Sequence, residues 1–277
     1  MMWQQLDSTS QAIFLNLLGL FEECILHTNP DQHYYFEKHD GDIYFSSQIP
    51  FPLMNGVVSY TANPQEIDTK CDALLNQFKT SSCPITWYWP HAVDMPKEVA
   101  AVFDKHGFQS MGNYLSIAVE SHKIKNNKMI LQDGVSIQLV ETDKQFADFL
   151  QITKEVYGMS EAAAQSMARL YGAYKYSQKV RLYLALVDDK PASTLLSYQN
   201  NEVLGLYNGA TLEAYRKRGL LTNLTIYAVK EASSVDYVVA QLMASQNAKG
   251  IVDQFGGEVY SHFTPLCAGF NLDEMNA

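Results

Sequence analysis

Amphipathic segments and short apolar runs alternate along most of the chain. Apolar residues at helical spacing predict helices, and short apolar runs bounded by turn residues predict strands. The first half contains three predicted helices, at Ser10–His27, Pro64–Phe78 and Met95–His106. Its predicted strands are His33–Glu37, Asp42–Ser47, Val57–Tyr60, Ile85–Trp89 and Asn113–Val119.

The second half repeats this alternation more fully. Its predicted helices are Lys144–Val156, a helix from Ser160 to about Tyr176, Lys217–Ser233 and Asn247–Phe255. Its predicted strands are Val135–Val140, Val180–Val187, Ala192–Tyr198, Val203–Thr211, Tyr237–Met243 and Glu258–Phe263. Helices interspersed among strands in this order indicate an α/β (α+β) fold with a mixed sheet.

The clearest interruption of the pattern is the polar segment Glu120–Gly134, which contains three lysines and ends in an Asp-Gly turn signal. We therefore predict a first domain over residues 1–120, a linker over 121–134 and a second domain over 135–277. The segment Val102–Phe108 is similar to Ile251–Gly257, because each combines a helix end, a glycine and the start of a strand. This similarity predicts two similar halves.

Composition and charge disfavour several functional classes. The 277 residues are 47% hydrophobic and 18% charged, with a formal net charge of −10. An acidic chain of this kind is disfavoured as a nucleic-acid or membrane binder. The four cysteines contain no Cys-x-x-Cys pair, so we expect no metal site and reduced thiols in a cytoplasmic protein.

The sharpest concentration of positive charge is the run Tyr215–Thr222, which reads YRKRGLLT and holds two of the chain's four arginines. It lies between a predicted strand and the start of a predicted helix, where unpaired N–H groups attract anions. The preceding strand contains Gly205 and Gly209, which indicate a bulge or a close approach to a ligand. A bulge at this position would open a slot in the sheet.

These segments resemble the GCN5-related N-acetyltransferase (GNAT) superfamily. The resemblance is carried by Gly209-Ala-Thr-Leu, by Tyr215-Arg-Lys-Arg-Gly-Leu-Leu-Thr, by Ala244-Ser-Gln-Asn-Ala and by Phe255-Gly-Gly, and it covers roughly Val135–Phe263. The first half, through Asn55-Gly-Val-Val, Pro84–Pro90 and His106-Gly-Phe, is similar to the first half of tandem GNAT proteins. It has no Arg-x-x-Gly loop before its helix at Pro64, so the resemblance makes it a degenerate copy that binds no cofactor.

The resemblance implies an acetyl-CoA site. One set of residues would contact the cofactor, namely Gly209, Ala210, Thr211, Leu212, Arg216, Lys217, Arg218, Gly219, Leu220, Leu221, Thr222 and Asn247. Backbone groups at residues 210–212 would pair with the pantetheine arm, the loop at 216–222 would hold the pyrophosphate, and Asn247 would lie near the sulfur.

Two positions depart from the family pattern. Leu221 stands where the family prefers Gly or Ala, and Val252 stands where many members have a tyrosine that protonates the departing thiolate. Tyr260, Tyr207 or a water could replace that tyrosine, and Tyr260 is our candidate catalytic residue. Glu161 and Glu202 are candidate bases, but each is more typical of a surface charge, so no base is assigned.

The expected function is direct transfer of acetyl from acetyl-CoA to an amine of a small molecule or peptide, with a homodimer allowed. The alternative is an acyl-CoA-binding module without turnover, which Leu221 and Val252 motivate. A nucleotide-phosphate enzyme is disfavoured because neither a Walker nor a dinucleotide-binding glycine motif occurs.

Overall fold

The structure of the chain is a computed structural model. It describes residues 8–27, 35–39, 42–47, 49–50, 52–59, 61–79, 83–91, 95–243 and 253–269. The predicted mixed α/β fold is confirmed.

The helices and strands follow the predicted order closely. The helices are α1 (Ser8–His27), α2 (Pro64–Phe78), α3 (Lys97–Lys105), α4 (Ser121–Lys125), α5 (Asp143–Tyr157), α6 (Glu161–Tyr171) and α7 (Leu220–Glu231). The strands are β1 (Tyr35–His39), β2 (Asp42–Ser46), β3 (Asn55–Val58), β4 (Ile85–His91), β5 (Gln109–Ser110), β6 (Tyr114–Glu120), β7 (Val135–Leu139), β8 (Val180–Val187), β9 (Lys190–Asn200), β10 (Val203–Thr211), β11 (Tyr237–Met243) and β12 (Glu258–Ala268).

Most differences from the predicted bounds have local causes. The helix predicted to run from Ser160 to Tyr176 ends at Tyr171 and tightens into a 3₁₀ turn at Gly172–Lys175. The predicted linker begins with the short helix α4. The helix predicted from Lys217 begins at Leu220, because Lys217 and Gly219 both have positive φ, at 63° and 71°.

Within the described residues, the strands form one twelve-stranded sheet. Its order is β1-β2-β3-β4-β12-β6-β11-β10-β9-β8-β7, with β5 paired to β12. Two neighbouring pairs are parallel, β3 with β4 and β10 with β11, and each pair is connected through a helix, α2 or α7. Each half of the chain therefore contributes one β-α-β unit to the sheet.

The two predicted halves share this sheet. β12 lies between β4 and β6, and β6 pairs with β11. In addition, α1 packs against β10 and β9, where the buried Asn16 amide donates to the Val203 carbonyl and accepts from the Tyr207 hydroxyl. The division at residues 120 and 135 remains a prediction from the sequence.

The second half of the sheet is covered on both faces. One face packs against α1, α5 and α6, with Phe149 and Leu170 in its core. The other face packs against α7 and α4, with Leu224 and Ile124 in its core. No helix among the described residues combines the length and the apolar character that crossing a bilayer would require.

Candidate cofactor and transfer site

Strands β10 and β11 separate at the centre of the sheet. Their parallel pairing runs from Val203 opposite Tyr237 to Leu206 opposite Ala240. Past that point β10 continues for five residues, to Thr211, and β11 continues for three, to Met243, without further pairing between them. The sheet therefore contains the slot that the glycines of β10 predicted.

A β-bulge lies on β10 directly after the separation. The pairing with β9 passes from Tyr207 opposite Leu196 to Ala210 opposite Thr194, so Asn208 and Gly209 together oppose one residue of β9. Asn208 has φ of 53°, a left-handed conformation that asparagine tolerates better than most residues. The extra residue bends β10 away from β11.

Side-chain hydroxyls hold three successive carbonyls of the bulged segment. The Asn208 carbonyl accepts from Thr194 Oγ1 at 3.2 Å, and the Gly209 carbonyl accepts from the Tyr157 hydroxyl at 3.0 Å. The Ala210 carbonyl accepts from Ser193 Oγ at 2.7 Å. Because buried carbonyls need partners, these hydroxyls stabilise a segment that has lost its pairing with β11.

The cationic run forms an exposed loop between β10 and α7. Arg216, Lys217 and Arg218 are all exposed, and no carboxylate of the described residues lies within 4.0 Å of any of their charged groups. The Arg216 side chain folds back, and its Nε donates to the Thr211 carbonyl at 3.2 Å. The Arg218 guanidinium lies 5.5 Å from the centre of the Tyr215 ring, which holds it over the loop.

The N-terminus of α7 is open. Gly219 precedes it in a left-handed conformation, and no side chain caps it. The first backbone bond of the helix runs from the Asn223 N–H to the Gly219 carbonyl, so the N–H groups of Leu220, Leu221 and Thr222 come before that ladder. Together with the dipole of the helix and the cationic loop, these donors are suited to a phosphate group.

The equivalent turn in the first half has the opposite character. Asn63 caps α2 by accepting from the Gln65 N–H at 3.0 Å, and Pro64 at the first position has no N–H to offer. Glu66 adds a negative charge in the first turn and accepts from Thr61 Oγ1 at 2.8 Å. The same β-α-β arrangement thus presents an anion-binding terminus in one half and a satisfied, acidic terminus in the other.

Leu221 fits against Gly209. A Cβ atom at residue 209 would lie 3.0 Å from Leu221 Cδ1 and 3.3 Å from Cδ2. Leu221 is half-buried and packs with the core under α7. Leu221, in the first turn of α7, is therefore accommodated because Gly209 on the facing strand has no side chain. Sequence spacing alone did not reveal this contact.

The remaining predicted site residues lie elsewhere. Asn247 and Val252 fall outside the described residues. Tyr260 is on β12, with β6 and β11 between it and the slot, and it packs against the cluster of Ile13, Ala118 and Val239. The other candidate, Tyr207, is partly buried next to the slot with its hydroxyl bonded to Asn16, and desolvation raises its pKa strongly. The catalytic role of Tyr260 remains a prediction.

Aromatic residues from α5 and its surroundings line the same face of the sheet as Tyr157. Tyr114, Phe146 and Tyr174 are partly buried there, and the rings of Phe146 and Tyr174 are 4.9 Å apart. The exposed Glu161 carboxylate lies 2.6 Å from Lys154, and that hydrogen bond lowers the pKa of Glu161. Its pairing is that of a surface charge.

Comparison with known proteins supports the GNAT-type fold. Residues 122–247 match the family model of an acetyltransferase (GNAT) domain. No curated protein matches the chain in sequence.

Several solved structures have a similar fold. A conserved protein of unknown function from Staphylococcus epidermidis has a TM-score of 0.74 at 13% identity, over 86% of this chain and 95% of its own. A GCN5-related N-acetyltransferase from Kribbella flavida has a TM-score of 0.68 at 14% identity, over 96% and 97%. A tandem GNAT protein from the clavulanic acid biosynthesis pathway has a TM-score of 0.57 at 11% identity, over 91% and 88%.

At these identities the structural likeness shows the fold alone, and its extent shows that the fold spans both halves. The domain match covers the split pair β10 and β11 and the cationic turn into α7. The chain therefore has a GNAT-type fold, and the part that matches the acetyltransferase (GNAT) domain model lies largely in its second half.

Proposed function

We propose that this protein is an acetyl-CoA-dependent N-acetyltransferase that acts on an amine of a small molecule or peptide. The observation that carries the proposal is the contrast between the two β-α-β units. Only the second combines strands that separate, an uncapped helix terminus and a cationic loop without a carboxylate partner among the described residues.

The residues of the second unit fit the cofactor's parts. The N–H groups of Leu220–Thr222, with Arg216, Lys217 and Arg218, would hold the diphosphate. The open edge of β10 at Gly209–Leu212 would pair with the amides of the pantetheine arm, as in strand addition. Bound acetyl-CoA supplies an acetyl thioester that the acceptor amine attacks directly.

The chain's own contribution is position and polarisation. Holding the acceptor and the thioester in one slot removes the entropic cost of bringing them together, which can lower the barrier by about 7–11 kcal/mol when the geometry is good. A backbone N–H at the bulge would polarise the thioester carbonyl. Tyr157, with Tyr114 close enough to affect its pKa, brings aromatic surface to the bulge, which is suited to an amine-bearing acceptor.

The decisive experiment measures binding and turnover separately. Calorimetry with acetyl-CoA and with coenzyme A tests the site, and release of free thiol across a panel of amines tests the transfer. Binding with amine-dependent thiol release is the expected result. Binding without release above background would favour a non-catalytic acyl-CoA-binding module, and absence of binding would overturn both functions.

A further inference from the structure

Tyr157 is the last residue of α5, and its side chain reaches the bulge of β10. Its hydroxyl donates to the Gly209 carbonyl at 3.0 Å. Burial, with a smaller effect of the nearby Tyr114, raises the pKa of Tyr157 to about 12. The hydroxyl therefore keeps its proton at neutral pH and acts as a hydrogen-bond donor to the backbone.

A second contact from the same helix reaches the neighbouring residue. Thr153 stands one turn before Tyr157, and its Oγ1 accepts from the Asn208 amide at 3.3 Å while donating to the Phe149 carbonyl at 2.9 Å. Residues four apart lie on the same face of a helix. Helix α5 thus contacts both residues of the bulge, Asn208 through its side chain and Gly209 through its carbonyl.

Gly209 needs this support because it lies in the bulge, where β10 no longer pairs with β11. It has no Cβ, so the peptide planes on either side of it can rotate more freely than those of a substituted residue. Thr194 holds the plane that contains the Asn208 carbonyl, and Tyr157 holds the plane that contains the Gly209 carbonyl. In a trans peptide the N–H points opposite to the C=O. The Gly209 N–H therefore points away from the Thr194 hydroxyl, and the Ala210 N–H points away from the Tyr157 hydroxyl.

We infer that Tyr157 is a positioning residue for acetyl transfer. Its bond fixes the peptide plane that follows Gly209, while Thr194 fixes the plane that contains the Gly209 N–H, and the two together hold the bulge in the conformation that offers this N–H to the thioester. The inference rests on the proposed function. Tyr157 acts through the backbone of β10, and no proton passes from its hydroxyl to the reacting atoms.

The test compares two conservative substitutions. Tyr157→Phe keeps the ring and removes the hydroxyl. Tyr88→Phe is a matched control. Tyr88 is a buried residue of β4, in the other half of the sheet, and its hydroxyl donates to the Leu53 carbonyl at 2.9 Å. Each variant loses one buried hydroxyl-to-carbonyl bond, so their losses of thermal stability should be similar.

Turnover should separate the two variants. We expect Tyr157→Phe to lower kcat for thiol release about ten- to hundredfold, since small misplacement of reacting groups has effects of that order. Its Kd for coenzyme A should stay within about twofold of the wild type, because the diphosphate loop is untouched. In Tyr157→Phe, kcat should fall by the same factor at every pH in the neutral range, whereas loss of a catalytic acid or base would change the shape of the dependence of kcat on pH.

A third variant tests the same inference independently of any folding defect in Tyr157→Phe. Thr194→Val removes the hydroxyl that holds the other peptide plane and should lower kcat in the same way. If Tyr157→Phe and Thr194→Val lose no more kcat than Tyr88→Phe in an active wild-type background, the inference is wrong and the proposed function stands. If the wild type neither binds acetyl-CoA nor releases thiol, the proposed function itself fails.

Discussion

Arg218 offers the sharpest test of the diphosphate site. Its guanidinium is exposed, stacks 5.5 Å from the Tyr215 ring centre, and has no carboxylate partner among the described residues. Reversing its charge should therefore break no internal ion pair. We expect Arg218→Glu to fold as the wild type does and to bind coenzyme A much more weakly.

The size of the effect follows from Coulomb's law. Two unit charges 4 Å apart interact by about 1 kcal/mol in bulk water and by about 4 kcal/mol at an effective dielectric constant of 20. Because Arg218 is exposed, its attraction to a diphosphate belongs near the lower figure. Charge reversal replaces one attraction by one repulsion, so we expect a loss of about 2–3 kcal/mol, or about 30- to 150-fold in Kd.

The assay is titration calorimetry with coenzyme A at several salt concentrations. Lys97→Glu makes the same change in net charge on an exposed residue of α3, in the first half, and serves as the control. Wild-type affinity should fall as salt rises, and the dependence should be shallower in Arg218→Glu. If Arg218→Glu binds coenzyme A as tightly as Lys97→Glu does, the diphosphate does not lie at this loop.

Two further predictions concern packing and pH. Gly209→Ala should lower coenzyme A affinity and melting temperature, because the new Cβ meets Leu221 at 3.0 Å. Adding Leu221→Ala should restore part of both. If the effects of the two substitutions simply sum in the double variant, the contact is contradicted. Burial raises the pKa of Glu23, but hydrogen bonds from Ser177 and Lys179 outweigh it and leave the pKa below its ordinary value. The contact therefore stabilises the folded state at pH values above the ordinary carboxyl pKa, and this stabilisation is lost as pH falls. Glu23→Gln should lower the unfolding free energy at neutral pH, and in acid its unfolding free energy should approach that of the wild type. A difference that grows in acid would refute this sign.

Local sequence signals account for the helix and strand bounds that were predicted correctly. Helix α2 has its predicted bounds because Asn63 and Pro64 mark its start, and β10 ends at Thr211 as predicted. The slot was predicted because glycines in a strand before a cationic turn have few structural alternatives. The start of α7 was placed three residues too early, since nothing in the composition of Lys217 revealed its left-handed backbone.

The rest depends on contacts between distant residues. Tyr157 lies one residue beyond the predicted helix Lys144–Val156, and its bond to Gly209 joins residues 52 positions apart. The predicted strand Glu258–Phe263 is five residues longer in the structure, because its continuation pairs with β4. Periodicity describes one segment at a time and contains no information about such partners.

The place of β12 has a consequence for how the molecule is assembled. Its residues pair with β4 across positions such as Thr264 opposite Trp89, and with β6 across His262 opposite Leu115. Until residues 258–268 have emerged from the ribosome, β4 and β6 each keep an open edge, which invites pairing with other chains. The first half of the sheet therefore cannot be completed until residue 268 has been made, so separately expressed halves should be prone to aggregation and should recover when co-expressed.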